Sequence, residues 1–103
     1  MTPEKKIKEK VKKILKELQC YYCMPSTGGY GSSGVPDIIT CYKGRFIGIE
    51  CKANGNKPTA LQQKNLVDIF NAKGQSLVID ETNIDMLKLF ITTNHTNCTK
   101  EKQ

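Results

Sequence analysis

The sequence predicts an α/β fold in which a small mixed β-sheet is flanked by helices. Apolar residues recur at helical spacing in three segments, β-favouring runs lie between them, and turn-forming residues separate these segments. Together they give the order α-β-β-β-α-β-α, which is typical of a sheet covered by helices. With 103 residues and 38% hydrophobic content, we expect one domain over 1–92 and a polar, flexible tail over 93–103.

The charge balance limits the classes of partner. Sixteen Lys and Arg against ten Asp and Glu leave a net charge of +6, which favours a polyanionic partner, nucleic acid before an anionic membrane surface. No apolar run approaches the roughly 20 residues that a membrane-spanning helix needs, and the sequence begins without an apolar signal segment. We therefore expect a cytoplasmic protein without a membrane partner.

The first helix is predicted over 3–18, with Thr2 as its N-cap. Its apolar stripe consists of Ile7, Val11, Ile14, Leu15 and Leu18. Seven lysines against three glutamates occupy the rest of the helix, so it carries most of the net positive charge. These lysines either form a solvated face or contact phosphates, and Lys5, Lys8 and Lys12 are the candidates for phosphate contact.

Glu4 is the unusual acid of this helix because its spacing places it in line with Ile7 and Val11 on the apolar stripe. A carboxylate there is either a terminal charge that the helix dipole stabilises or a group directed into a site. Both interpretations stay open from the residues alone.

A short strand over 20–24 leads into a glycine-rich segment over 25–34 that holds four glycines. Such a segment forms neither a helix nor a central strand. It is either a plain linker or a loop that lets a nucleic-acid backbone approach closely, with Ser32 and Ser33 as candidate phosphate contacts.

Two cysteines have a CxxC spacing that could mark a redox pair or half of a zinc site. Cys20 and Cys23 lie in a β-favouring run, whereas a redox pair usually opens a helix. A zinc site also needs a second pair of ligands at short spacing, which the sequence does not offer clearly. We interpret both as small core or surface residues.

The predicted hairpin joins strands over 37–42 and 45–52 through a turn at Lys43-Gly44. A turn centred there places Asp37 opposite Glu50, with their Cβ atoms about 4.5–5.5 Å apart on one side of the sheet. Lys52 shares that side with Glu50 because strand side chains alternate. A bulged three-residue loop would shift this register.

Two directly opposed carboxylates destabilise a sheet, so their pairing needs a reason. One interpretation is that Lys52 neutralises Glu50 in a surface ion pair and that the register slips by one. The other is that Asp37 and Glu50 hold a divalent metal ion, which prefers hard oxygen ligands. The metal would polarise a phosphodiester and lower the pKa of a bound water, and Lys52 would orient that water or neutralise charge on the phosphate.

The remainder of the chain is predicted to form a loop, a helix, a strand and a short helix. These elements cover 53–58, 60–72, 75–79 and 84–90. Gly74 is expected to end the longer helix, and Lys57 in the loop is a further candidate phosphate contact. Thr59 and Gln62 have the spacing of a capping box, and the helix N-terminus that they form favours a bound phosphate.

Two segments carry a resemblance to a known family. Pro36-Asp37 and then Glu50-Cys51-Lys52 on the next predicted strand resemble the PD-(D/E)XK nuclease signature. Together with their flanking residues, they are similar to the small stand-alone VRR-NUC nucleases of phages; the matching segments are 34–37, 49–52, 58–62 and 72–74. The resemblance covers about 4–90 and implies a restriction-endonuclease-like PD-(D/E)XK core.

The resemblance also implies roles for individual residues. Asp37 and Glu50 match the family's ligands for Mg²⁺ or Mn²⁺, and the backbone carbonyl of Cys51 would complete the metal shell. Lys52 matches the catalytic lysine of the signature. The remaining catalytic positions map onto Glu4 in the first helix and onto Gln62, with Gln63 as the register-shifted alternative.

Two positions depart from the family pattern. Lys73 stands where a second glycine is common, and Cys51 is an unusual residue between the acid and the lysine. Neither change removes a side chain that the chemistry needs.

The sequence therefore predicts a metal-dependent DNA endonuclease that hydrolyses phosphodiester bonds and needs no small-molecule cofactor. The resemblance implies a homodimer that cuts branched DNA such as Holliday junctions, in the host-cell cytoplasm if a phage encodes it. The alternative is a nucleic-acid-binding module without catalysis, in which the acidic residues serve only folding.

Overall fold

A computed structural model describes the backbone of residues 1–26 and 34–100 and the side chains of 1–26 and 34–93. The elements follow in the order α1 (Pro3–Glu17), β1 (Tyr21–Cys23), β2 (Ile38–Tyr42), β3 (Arg45–Cys51), α2 (Ala60–Asn71), β4 (Gln75–Ile79), a 3₁₀ turn (Ile84–Met86) and α3 (Leu87–Lys100). The predicted α/β class and the order α-β-β-β-α-β-α are confirmed.

The four strands form one mixed sheet in the order β1-β2-β3-β4. β1, β2 and β3 pair antiparallel, whereas β4 runs parallel to β3. The hairpin has the predicted register, with Tyr42 opposite Arg45 and Ile38 opposite Ile49. The start of β2 and the end of β3 therefore lie side by side, and Asp37 and Glu50 lie at this edge of the sheet.

One face of the sheet packs against α1 and the C-terminal helical region to form the hydrophobic core. The buried residues of this core are Ile7, Val11, Leu15, Ile38, Ile47, Ile49, Cys51, Ala53, Ile79, Ile84, Leu87 and Ile91. Ile47, Ile49 and Cys51 alternate along β3 and share the core side of the sheet. Because strand side chains alternate, Gly48 and Glu50 point to the opposite face.

Helix α2 covers that opposite face and approaches it closely at Gly48. A Cβ atom added to Gly48 would lie 2.6 Å from Ile69 Cδ1 of α2, so a larger residue would require the Ile69 side chain to move. The Ser76 hydroxyl of β4 also donates to the Leu66 carbonyl of α2. Glu50, two residues after Gly48 on the same face, is therefore buried rather than exposed at a sheet surface.

The end of α2 differs in detail from the prediction that Gly74 ends it. Lys73 adopts the left-handed backbone with φ 76°, and the Gly74 N–H donates to the Ile69 carbonyl at 2.9 Å. A Cβ atom on Gly74 would lie 2.9 Å from Ile69 Cγ2. Gly74 is thus needed for close packing, while Lys73 occupies the position that usually favours glycine.

The last helix is also longer than the predicted segment over 84–90. It starts as a 3₁₀ turn at Ile84–Met86 and continues as α3 to Lys100. The polar residues after Ile91 give no apolar periodicity, which is why the sequence pattern did not extend the helix. Within residues 1–26 and 34–100, none of the helices combines the length and apolarity that crossing a bilayer requires.

Candidate active site

Asp37 lies one residue before β2, at the position that faces Glu50 when the hairpin register is continued past Ile38 and Ile49. Its Oδ2 accepts a hydrogen bond from the backbone N–H of Cys51 at 2.8 Å. The bond holds the Asp37 carboxylate against the end of β3. The structure thus brings the two predicted metal ligands to the same end of the hairpin.

Glu50 is the most deeply buried charged residue of the site, with 1% of its surface exposed. Neither of its carboxylate oxygens accepts a hydrogen bond from any described residue. Burial, and next the negative charge of Asp37, raise the pKa of Glu50 to about 7, while Lys52 acts in the opposite direction. Buried carboxylates normally accept several hydrogen bonds, whereas Glu50 has only the nearby Lys52 ammonium as a polar partner among the described residues.

Lys52 follows β3, and its backbone N–H donates to the Ile79 carbonyl at 2.9 Å, which extends the parallel pairing with β4. Its Nζ lies 3.4 Å from Glu50 Oε2, and only 10% of the Lys52 side chain is exposed. The alternative of a surface ion pair in a shifted register is wrong, because the pair is buried and the register is unshifted.

Cys51 lies between the two charged residues but points into the hydrophobic core, with none of its surface exposed. Burial, and next the charges of Asp37 and Glu50, raise the pKa of the Cys51 thiol to about 12. The thiol is therefore protonated at neutral pH. The role expected of Cys51, a ligand through its backbone carbonyl, stays a prediction.

Helix α1 places a second positively charged side chain, Lys8, next to the carboxylates. Lys8 Nζ lies 3.5 Å from Asp37 Oδ1, with side chains that are 28% and 19% exposed. The sequence predicts Lys8 only as a candidate phosphate contact and does not indicate this ion pair. The seven lysines of the helix show no pattern that would single out Lys8 for this contact.

An open cleft of about 640 Å³ lies beside this ion pair. It is lined by α1 on one side and by the loop after β3 on the other, through residues that include Glu4, Lys5, Lys8, Ala53, Asn54 and Asn56. Asp37 and Glu50 do not line the cleft themselves, and Lys8 connects the two regions. Glu4 is half-buried here, so the structure places it at the cleft rather than in contact with the carboxylate pair.

Gln62 forms the predicted capping box at the start of α2. Its Oε1 accepts from the Thr59 N–H at 2.9 Å, and the Thr59 hydroxyl accepts from the Gln62 N–H at 3.2 Å. The side-chain oxygen is thus engaged, which leaves the amide nitrogen as the atom that Gln62 could offer to a substrate. The catalytic role of Gln62, or of the exposed Gln63, stays a prediction.

The other candidate phosphate contacts are distributed around the cleft and the helix surface. Lys12 is paired with Glu9 at 3.0 Å, and Lys57 is exposed in the loop after β3. Ser32 and Ser33 lie outside the described residues. DNA contact by these residues stays a prediction.

Cys20 and Cys23 do not form a chelating pair. Cys20 is half-buried against the core, whereas Cys23 is exposed, because residues three apart on a strand point to opposite faces. Within the described residues, His, Cys, Asp and Glu side chains do not gather in groups of three or more that could hold a metal ion. A metal ion at this site would therefore depend on Asp37 and Glu50, supplemented by a backbone carbonyl and water.

The carboxylate pair nevertheless fits a divalent cation. Both oxygens of Glu50 are buried and without hydrogen-bond donors among the described residues. Carboxylate oxygens are the hard ligands that Mg²⁺ prefers, and Mg²⁺ commonly uses only one or two carboxylates with several waters. The arrangement can hold such an ion, with the Lys52 ammonium beside it.

Comparisons with known proteins add one independent observation. No model of a known protein family matches the chain. Over 58 residues the chain is 34% identical to a curated protein of Acyrthosiphon pisum secondary endosymbiont phage 1 that carries the name "Putative nuclease p44". The match covers 55% of this chain, and the chain spans 62% of that relative's length. The chain is thus similar to a phage protein named as a nuclease, and the VRR-NUC assignment stays a prediction.

Proposed function

We propose that the chain is a metal-dependent nuclease that hydrolyses phosphodiester bonds in DNA. The observation that carries this proposal is the state of Glu50, which is 1% exposed and has two carboxylate oxygens without hydrogen-bond donors in the described part of the chain. Burying a carboxylate costs on the order of several kcal/mol of desolvation, and the Lys52 ammonium 3.4 Å from Oε2 offsets only part of this cost. A divalent cation shared with Asp37 would offset the remainder and the repulsion between the two carboxylates, which gives their juxtaposition a function.

Each residue of the site has a proposed task in this reaction. Asp37, fixed by the Cys51 N–H, and Glu50 would hold Mg²⁺ or Mn²⁺ together with the Cys51 carbonyl. When bound, the ion would supply Lewis-acid polarisation of the phosphoryl group and a lowered pKa of water. Lys52, whose Nζ is 3.4 Å from Glu50 Oε2, would orient the attacking water or donate a hydrogen bond to a phosphate oxygen as its charge increases.

The residues around the carboxylates would position the substrate strand. Glu4 at the cleft and the amide nitrogen of Gln62 are proposed as further groups that contact water or phosphate. The lysines of α1 would bind phosphates without reading the bases, which makes binding steeply dependent on salt. The net charge of +6 supports DNA as the partner.

The finer assignments rest on the resemblance to VRR-NUC nucleases. We propose membership of that family, branched DNA such as Holliday junctions as the substrate, and a homodimer whose two sites make paired incisions. A cytoplasmic location in the host cell is part of the same proposal. The similarity to a phage protein named as a nuclease supports the general class of activity.

End-labelled junction, flap, duplex and single-stranded DNA, each incubated with EDTA, Mg²⁺ or Mn²⁺, test the proposal. We expect cleavage only with metal, and fastest on the junction. Asp37→Ala and Lys52→Ala should still bind the junction in a mobility-shift assay but should not cut it. Lys64→Ala, which removes an exposed lysine of α2, is the control and should cut like the wild type.

Two outcomes would contradict the proposal. Cleavage by Asp37→Ala or Lys52→Ala would remove the site assignment. Binding of DNA without cleavage under any metal condition would favour the non-catalytic binding module instead.

A further inference from the structure

Lys8 and Lys12 lie one turn apart on α1 but have different partners. Lys8 Nζ is 3.5 Å from Asp37 Oδ1, whereas Lys12 Nζ is 3.0 Å from Glu9 Oε2. Their side chains are similarly exposed, at 28% and 25%. Lys8 is therefore paired with a residue of the site, and Lys12 is paired within its own helix.

We propose that Lys8 is an exchangeable counter-ion of the site. It neutralises Asp37 before a divalent cation binds, and it moves to a DNA phosphate when the cation takes the carboxylates. The inference rests on the proposed function and adds a coupling between metal binding and DNA binding.

The two oxygens of Asp37 have different partners, which makes Oδ1 the exchangeable one. Oδ2 accepts the Cys51 N–H at 2.8 Å and is fixed to the end of β3. Oδ1 faces the Lys8 ammonium across 3.5 Å, a longer contact made by a flexible side chain rather than by the backbone. A cation that binds Asp37 through Oδ1 must therefore compete with the Lys8 ammonium.

Of the two ammonium groups at the site, Lys8 is the one that can leave. The Lys52 side chain is only 10% exposed, so it is largely enclosed by the protein. The Lys8 side chain is 28% exposed and borders the open cleft of about 640 Å³. A divalent cation repels both ammonium groups, and the flexible four-carbon stem of Lys8 lets its charge move into the cleft.

The displaced Lys8 ammonium can bind an anion in the cleft. Lys5, Asn54 and Asn56 line it and can contact an anion together with Lys8. The phosphate backbone of DNA is the anion that the proposed function provides. Because binding free energies are reciprocal, a cation that releases Lys8 for DNA must itself bind more tightly when DNA is present.

Lys8→Met removes the ammonium and keeps most of the apolar stem, and Lys12→Met is the matched control. Isothermal titration of Mn²⁺ into DNA-free protein measures the competition. We expect Lys8→Met to bind Mn²⁺ about three- to tenfold more tightly than the wild type, given the partial exposure of the pair. Lys12→Met should remain within about twofold of the wild type, because its charge is not on a metal ligand.

Fluorescence anisotropy with a short labelled DNA junction, in EDTA and in Ca²⁺, measures the coupling; a gel after each titration verifies that the DNA is intact. We expect Ca²⁺ to increase the DNA affinity of Lys8→Met about threefold less than it increases the affinity of the wild type. Lys12→Met should lose affinity equally in both conditions, as expected for a plain phosphate contact.

The outcomes separate this inference from the proposed function. If the wild type binds Mn²⁺ and Lys8→Met binds it no more tightly, or if Ca²⁺ increases DNA affinity equally in both, the exchange is wrong and the nuclease proposal stands. If the wild type binds no Mn²⁺, the proposed function fails and this inference fails with it. Lys8→Arg keeps the charge and should bind Mn²⁺ no more tightly than the wild type; tighter binding would also overturn the exchange.

Discussion

The backbone N–H of Cys51 donates a 2.8 Å hydrogen bond to Oδ2 of Asp37. The bond continues the pairing of β2 with β3 one step past Ile38 and Ile49, with a side chain in place of a backbone carbonyl. It fixes the Asp37 carboxylate beside Glu50 even though Asp37 is outside the strand. One local contact thus serves both the end of the hairpin and the assembly of the site.

Replacing Asp37 by Asn or by Ala separates these two contributions. Both variants remove the charge, but only Asn keeps an oxygen that can accept the Cys51 N–H. We expect Asp37→Asn to have a free energy of unfolding about 1–2 kcal/mol higher than Asp37→Ala, since Ala leaves that N–H without its acceptor. Urea unfolding in EDTA at neutral pH measures the difference, and equal stabilities would show that the bond contributes nothing.

Glu50 should make the stability of the metal-free protein depend on pH. Its pKa is raised from 4.5 to about 7, first by burial and then by Asp37. In the unfolded chain Glu50 releases its proton at lower pH than in the folded chain, so the free energy of unfolding falls as pH rises from 4.5 to about 7. The whole loss from this group is on the order of 3 kcal/mol.

Glu50→Gln removes this titration. We expect the free energy of unfolding of Glu50→Gln, measured relative to the wild type in EDTA, to increase between pH 5 and pH 8 by roughly 1–3 kcal/mol. Asp68→Asn, which replaces an exposed carboxylate of α2, is the control and should follow the wild-type profile. Mn²⁺ should raise the melting temperature of the wild type at pH 8 and leave that of Glu50→Gln nearly unchanged. A constant difference between Glu50→Gln and wild type across this pH range would contradict the raised pKa.

The juxtaposition of Asp37 and Glu50 could be predicted from sequence because it depends on local rules. The Lys43-Gly44 turn sets the register of the hairpin, and the period of two then decides which side chains share a face. The caps formed by Thr2 and Thr59 are equally local, since each requires only a residue near the start of its own helix.

The features that give the site its charge state depend on contacts between distant elements, which the pattern of one segment does not contain. Glu50 is buried on the face of the sheet that α2 covers, where α2 lies so close to Gly48 that a Cβ atom there would require Ile69 to move. The pairing of Lys8 with Asp37 requires the relative position of α1 and β2. A helix surface with seven lysines gives no signal that distinguishes the one that reaches a carboxylate.

Lys52→Met tests the residue that would act on the reacting groups. It keeps the apolar stem of a buried side chain and removes the ammonium 3.4 Å from Glu50 Oε2. We expect cleavage of a junction in Mg²⁺ to slow by about 10²–10³-fold, with DNA affinity changed less than about threefold. Single-turnover kinetics with excess protein measure the rate of the chemical step.

Lys64→Met is the matched control for Lys52→Met, because Lys64 is 69% exposed and pairs with Asp68 on α2. Its cleavage rate should equal that of the wild type. A slow rate for both variants would mean that general charge loss, rather than the position of Lys52, explains the effect.

Lys73→Gly tests the ending of α2 independently of any function. Lys73 is exposed and holds a left-handed backbone with φ 76°, a conformation that costs about 1 kcal/mol for a residue with a Cβ atom. Glycine removes this cost, although it also makes the unfolded chain more flexible, so we expect the free energy of unfolding to rise by about 0.5 kcal/mol. Lys73→Ala removes the same side chain and charge without relieving the backbone, so it should give no gain. Urea unfolding of the three proteins measures the comparison, and a Gly variant no more stable than the Ala variant would contradict the left-handed conformation at this position.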